Sequence, residues 1–136
     1  MNDTMQKIFD HVWNYFLVDK NDFGWNAAGG LCEYRTPNGA KCAIGCMIPD
    51  EYYNKQMEGT SASELFGDSY YDFDLTGIIE EQFGSIRDVP NTFFNRLQHV
   101  HDHAAECGHG KTKEEVRDTF RQYMTNVANE IGLDIP

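Results

Sequence analysis

"CEYRTPNGAKCAIGC", residues 32–46, gathers three of the chain's four cysteines around one turn. Pro37 suits the first central position of a type I turn, Asn38 the second, and Gly39 the left-handed position that follows. This loop predicts a β-hairpin that pairs Thr36 with Ala40, Arg35 with Lys41, Tyr34 with Cys42 and Cys32 with Ile44. Side chains alternate along strands, so Cys32, Tyr34, Cys42 and Ile44 would share an inner face, joined by Cys46 if the strand persists. Glu33, Arg35, Lys41 and Ala43 would take the outer face. A turn at Asn38-Gly39 alone would mix the two faces, and both Pro37 and the face segregation favour the first register.

Three chemistries compete for those cysteines. Free cysteine is among the most buried residue types and packs as a small hydrophobe, which favours a core role. A zinc site is the second reading. It could draw on Cys32, Cys42, Cys46, His99, His103 and Cys107, but the C-x9-C-x3-C spacing lacks the close cysteine pairs of structural zinc sites. The third is a catalytic thiol, Cys42, with His101 as its base.

Helices are expected to pack over the hairpin. Ile8, Phe9, Val12, Trp13, Phe16 and Leu17 recur at helical spacing and predict a helix over 4–18. "NDFGWNAAGG" then reads as a loop. A short helical turn is expected after Pro49, ending by Gly59. Ser61 and Glu64 have capping-box spacing ahead of a short helix at 62–66. "FGDSYYDFDLTG" reads as an acidic, aromatic exposed loop, and residues 77–83 as one more helical turn. A long helix is predicted over 89–106, with Phe93, Phe94, Leu97, Val100 and Ala104 on its apolar side and Gly108 as its stop. The last helix is the clearest. Thr112 and Glu115 form a capping box, Val116, Phe120, Tyr123, Met124, Val127 and Ile131 keep helical period, and Gly132 ends it. The expected fold class is therefore α+β: a single globular domain over 1–136, with one β-hairpin or small antiparallel sheet packed against about three longer helices and some short ones.

On the long helix His99, His103 and Cys107 stand four apart and form one ladder. His101 lies on the edge of the apolar stripe, where it could meet the hairpin's inner face. Asp102 is turned about 100° away from it and does not automatically serve as its orienting carboxylate. Arg35 and Lys41 form a cationic pair that could hold a phosphate or carboxylate, with Gln98 and His101 assisting and Tyr34 as a stacking ring.

The totals narrow the function. The chain has 136 residues, 22 acidic against 11 basic, and a net charge of −11. Such a chain repels nucleic-acid backbones and anionic membranes unless its few cations are clustered; a basic protein surface is the more natural partner, and solubility alone is the alternative account of the charge. No signal peptide and no run of about 18 apolar residues is evident. Four cysteines without a secretory signal are expected as reduced thiols in a cytosol.

"YRTPNGAKCAIGCMIPDEYY", residues 34–53, and "LQHVHD", residues 97–102, resemble a group of small bacteriophage and prophage proteins, most of them without an assigned function. The matching positions include Tyr34, Arg35, Gly39, Lys41, Cys42, Gly45, Pro49 and Asp50, then Leu97, Gln98, His101 and Asp102. The resemblance implies a phage or prophage accessory protein that binds and inhibits or sequesters a host factor in the bacterial cytosol. Its target would be a basic protein surface or a small anionic, nucleotide-like ligand. No cofactor and no catalysis are expected on this reading. A cysteine/histidine enzyme and a zinc-stabilised interaction module are the alternatives.

Overall fold

A computed structural model describes residues 3–26, 31–58, 75–107 and 111–136. The first helix, α1 (Asp3–Trp13), continues through a π-helical turn at 14–18, and together they bury all six apolar residues of the predicted stripe. Asp19 N–H bonds back to the Asn14 carbonyl at 2.8 Å. Asn21 then caps the end, donating to the Tyr15 carbonyl from its backbone N–H at 3.2 Å and from its side chain at 3.0 Å. The helix stops where Lys20 adopts φ +58°, a left-handed conformation that non-glycine residues seldom take.

Among the described residues three further helices follow: α2 (Leu75–Phe83), α3 (Asn91–Cys107) and α4 (Lys113–Ile131). The capping box of α4 is present in both directions, and Gly132 closes the helix at φ +79°. α3 and α4 form the most extensive helix pairing, while α1 packs on α2 and on the chain around Gly45. Phe9, Phe16, Phe94 and Phe120 are fully buried in the shared core. The helix expected at 62–66 and the stop at Gly108 fall outside the described residues.

The α+β expectation is overturned. Among the described residues the fold is helical. Strand is confined to two antiparallel two-residue segments, β1 (Trp25–Asn26) and β2 (Leu31–Cys32), in which Cys32 faces Trp25 rather than Ile44. The turn itself forms as expected. Gly39 has φ +88°, Thr36 N–H bonds the Ala40 carbonyl at 2.8 Å, and Arg35 bridges Lys41. What fails is the ladder beyond it. The next bond would join Tyr34 N–H to the Cys42 carbonyl. Instead Tyr34 N–H donates to a Glu58 carboxylate oxygen at 2.9 Å, and the Cys42 carbonyl accepts from Cys46 N–H at 2.9 Å.

After Cys42 the chain curls into helical turns, with 3₁₀ segments at Gly45–Met47, Asp50–Tyr52 and Lys55–Met57. Gly45 permits the curl because its backbone lies against that of Tyr34. A Cβ there would sit 2.0 Å from the Tyr34 carbonyl oxygen. Tyr34, Cys42, Ile44 and Cys46 are buried as expected of an inner face, yet Ala43, expected outside, is 0% exposed. A helical turn surrounded by core buries neighbours in sequence alike, and a two-faced strand does not.

Candidate functional site

The two sequence motifs meet. From α3, Gln98, His101 and Asp102 reach the curled segment and the loop after α1. Ile44 N–H donates to Gln98 Oε1 at 3.1 Å, and Gln98 Nε2 donates to Asp102 Oδ1 at 2.6 Å. His101 is 0% exposed, with its ring packed against Phe16 and Phe23. Gly24 N–H donates to His101 Nε2 at 3.1 Å, which leaves the proton on Nδ1, 2.9 Å from Asp102 Oδ1. Asp102 therefore does orient His101, because the two groups meet at the side of the helix despite their angular offset. Burial lowers the His101 pKa from 6.5, and the Asp102 contact opposes that only in part.

A second network gathers at Arg35. Its Nη2 donates to the Ile48 carbonyl at 2.8 Å and pairs with Asp50 Oδ1 at 2.8 Å, while its guanidinium lies 4.6 Å above the Tyr53 ring. Lys41 Nζ reaches the same Asp50 oxygen at 3.7 Å. Glu58 accepts from Tyr34 N–H, from Arg35 N–H at 3.0 Å and from the Tyr53 hydroxyl at 2.6 Å. Arg35 and Lys41, expected on an open outer face, are thus largely covered, with side chains 16% and 24% exposed. Tyr34 is buried, and the ring beside the guanidinium is Tyr53.

Cys42 and Cys46 are free and buried. Cys42 Sγ accepts from Gly45 N–H at 3.3 Å, and Cys46 donates to the Ala43 carbonyl at 3.0 Å. Burial pushes the Cys42 thiol up to about 12 and raises Cys46 strongly, so both are protonated at neutral pH. Both ring nitrogens of His101 are engaged, by Gly24 and Asp102, and neither is left to serve as base to Cys42.

The histidine ladder runs along α3 as expected. His99 and His103 stack with centroids 6.2 Å apart, and the Nε2 of His103 lies 3.1 Å from the Tyr123 hydroxyl on α4. The side chains of Cys32 and Cys107 lie outside the described residues. Among those described, no three histidine, cysteine or acidic side chains converge on one point as metal ligands would.

Three participants had no role assigned from the sequence. Tyr53 sits in the first motif, but its partner Glu58 stands beyond it and carried no signal. Asp50 belonged to the motif without an assigned role. Its position just after Pro49, opposite two cations, becomes visible only once the chain curls back. No protein-family model matches the chain, and no curated protein or solved structure matches it.

Proposed function

We propose that the chain is a non-enzymatic binding protein of the phage or prophage accessory kind, which engages a basic surface of a host protein and inhibits or sequesters it in the host cytosol. The observation that carries this reading is the internal use of most of the chemistry-bearing residues in the two motifs, with Lys41 and the exposed His99 standing outside it. His101, Gln98 and Asp102 hold the backbones of Gly24 and Ile44, Cys42 is a buried thiol, and Arg35 is clamped between Asp50, the Ile48 carbonyl and Tyr53. The motifs then describe a scaffold. What remains for a partner is the surface, and the chain carries a net charge of −11. Among the described residues no helix is long and apolar enough to cross a membrane.

The test is capture of host proteins on the immobilised chain, followed by calorimetry with the purified partner at about 50 and 500 mM salt, where screening of exposed charges differs strongly. Affinity is expected to fall at least ten-fold at the higher salt and to survive Lys41→Ala. Salt-independent binding, or loss of binding in Lys41→Ala with the circular dichroism unchanged, overturns the proposal. The second outcome returns the site to a small anion at Lys41.

A further inference from the structure

A cleft of about 280 Å³ opens between the chain after α1, the Pro37–Gly39 turn and the start of α4. Its walls include Asp22, Phe23, Asn38, Lys111, Lys113 and Arg117. Three cations therefore line it with one lining carboxylate, Asp22, while Glu114 pairs with Arg117 from outside the lining, in a chain whose net charge is −11. Two other described concavities are balanced. The groove between α3 and α4 sets Arg96 against Glu130, and the hollow beside the turn sets Arg35 and Lys55 against Glu33 and Glu58.

Arg117 is the deepest of the three cations, at 8% exposure. Its Nη1 donates to Glu114 at 2.9 Å and its Nη2 to the Lys20 carbonyl at 3.0 Å, but its buried Nε–H has no hydrogen-bond partner among the described residues. A buried donor left unbonded costs about 1–3 kcal/mol, so this arginine stands in the wall with an unmet demand for an acceptor. The two lysines are available. Lys113 pairs with Asp22 at 3.1 Å, but both side chains are more than half exposed, which makes the pair weak and exchangeable. Lys111 is exposed and forms no ion pair among the described residues. The first turn of the 19-residue α4 adds its positive dipole end, offset in part by Glu114 and by Glu115 of the capping box in the same turn. Phe23 supplies an apolar wall. One face of its ring stacks on Phe16 at 4.7 Å, Phe120 meets it edge-on, and the ring stays partly exposed at the cleft.

We infer that this cleft binds a small ligand with an oxyanion head, phosphate or carboxylate, on a compact apolar body. The head is held by Lys111, Lys113 and Arg117, and the body rests on Phe23. The site is separate from the acidic surface invoked above, and the two proposals stand or fall apart from each other.

The test follows amide resonances of the isotope-labelled chain during titration with phenyl phosphate, benzoate and inorganic phosphate at low salt. Saturable shifts centred on Phe23, Lys111 and Lys113 are expected. One of the two ring-bearing probes should bind more tightly than inorganic phosphate, and the tighter of them identifies the head group. Lys111→Gln and Lys113→Gln, both at exposed positions that the fold tolerates, should each weaken binding roughly five-fold. Asp22→Asn should tighten it, because it removes the carboxylate that competes for Lys113. No saturable shift with any probe up to about 10 mM, a range that covers even weak sites, overturns the inference. So do shifts that persist unchanged in the Lys111→Gln/Lys113→Gln double variant. Inorganic phosphate binding as tightly as phenyl phosphate and benzoate removes the apolar half of the site.

Discussion

α4 and the segment from Glu33 to Glu58 are of similar size and solve the same problem in opposite ways. In α4 the backbone satisfies itself, and its two loose ends are closed by neighbours in sequence, Thr112 with Glu115 at the start and Gly132 at the finish. The 33–58 segment gives several of its backbone groups to side chains instead. Glu58 takes two amide N–H groups, Gln98 a third, and the Arg35 guanidinium holds the Ile48 carbonyl. Removing one residue from a helix end costs one cap. Removing one of the side chains that hold the curled segment takes the partner from several backbone groups at once.

Gly45→Ala should have the largest effect. Its new Cβ would lie 2.0 Å from the Tyr34 carbonyl oxygen, which is backbone and cannot swing aside. A loss of roughly 3 kcal/mol in urea unfolding is expected, as for other severe packing conflicts. A near-neutral result would show that the curl tolerates displacement and that the two regions are less different than their bonding implies.

Glu58→Ala comes next. It leaves Tyr34 N–H, Arg35 N–H and the Tyr53 hydroxyl without their acceptor, at an expected cost of about 2 kcal/mol. Amide hydrogen exchange should then quicken around Tyr34 while α4 stays protected. Uniform loss of protection would mean that the segment and the helices unfold as one unit.

Acid should distinguish the regions more gently. The folded pKa of His101 lies below 6.5, so between the two values the unfolded chain binds a proton that the folded chain refuses. Stability is then fully present above pH 6.5 and falls as the pH drops below it, with a slope of at most about 1.4 kcal/mol per pH unit from this one group. Chemical denaturation from pH 7.5 to 5.5 should show this decline, and His101→Gln should flatten it whatever its effect at pH 7.5. An unchanged slope in the variant would place the acid sensitivity elsewhere.

Thr112→Ala should have the smallest effect, about 1 kcal/mol, because it removes one exposed cap from a helix whose apolar face remains packed. A cost equal to that of Glu58→Ala would erase the contrast.

Legibility followed the same division. Wherever a segment bonds within itself, local pattern sufficed. The stripe of α1, the box and stop of α4, the body of α3 and the turn at Pro37–Gly39 are each written in residues a few positions apart. The hairpin expectation extended a correct turn into a ladder that does not exist, since alternation of Cys32, Tyr34, Cys42 and Ile44 looks the same whether a strand or a buried curl carries it. The candidate site was legible as a set of residues and illegible as an arrangement. Gln98, His101, Arg35 and Lys41 stood out, but their pairing with Ile44, Gly24, Ile48 and Asp50 depends on contacts across 9 to 77 positions.

By itself, then, the sequence determined the bodies of α1, α3 and α4, the start and stop of α4, one tight turn, the acidic charge and the buried stripes of α1 and α3. These depend on hydrogen bonds and apolar periods within a few residues, and on totals that no fold can alter. Only the tertiary structure decided that the cysteine segment curls, that His101 is a neutral buried clamp rather than a base, and that three cations share a cleft at the start of α4. Each of these turns on which distant acceptor wins a given N–H. A carboxylate 24 residues away from Tyr34 outcompeted the neighbouring strand. A charged acceptor makes the stronger hydrogen bond, and nothing local to either partner records that it will arrive.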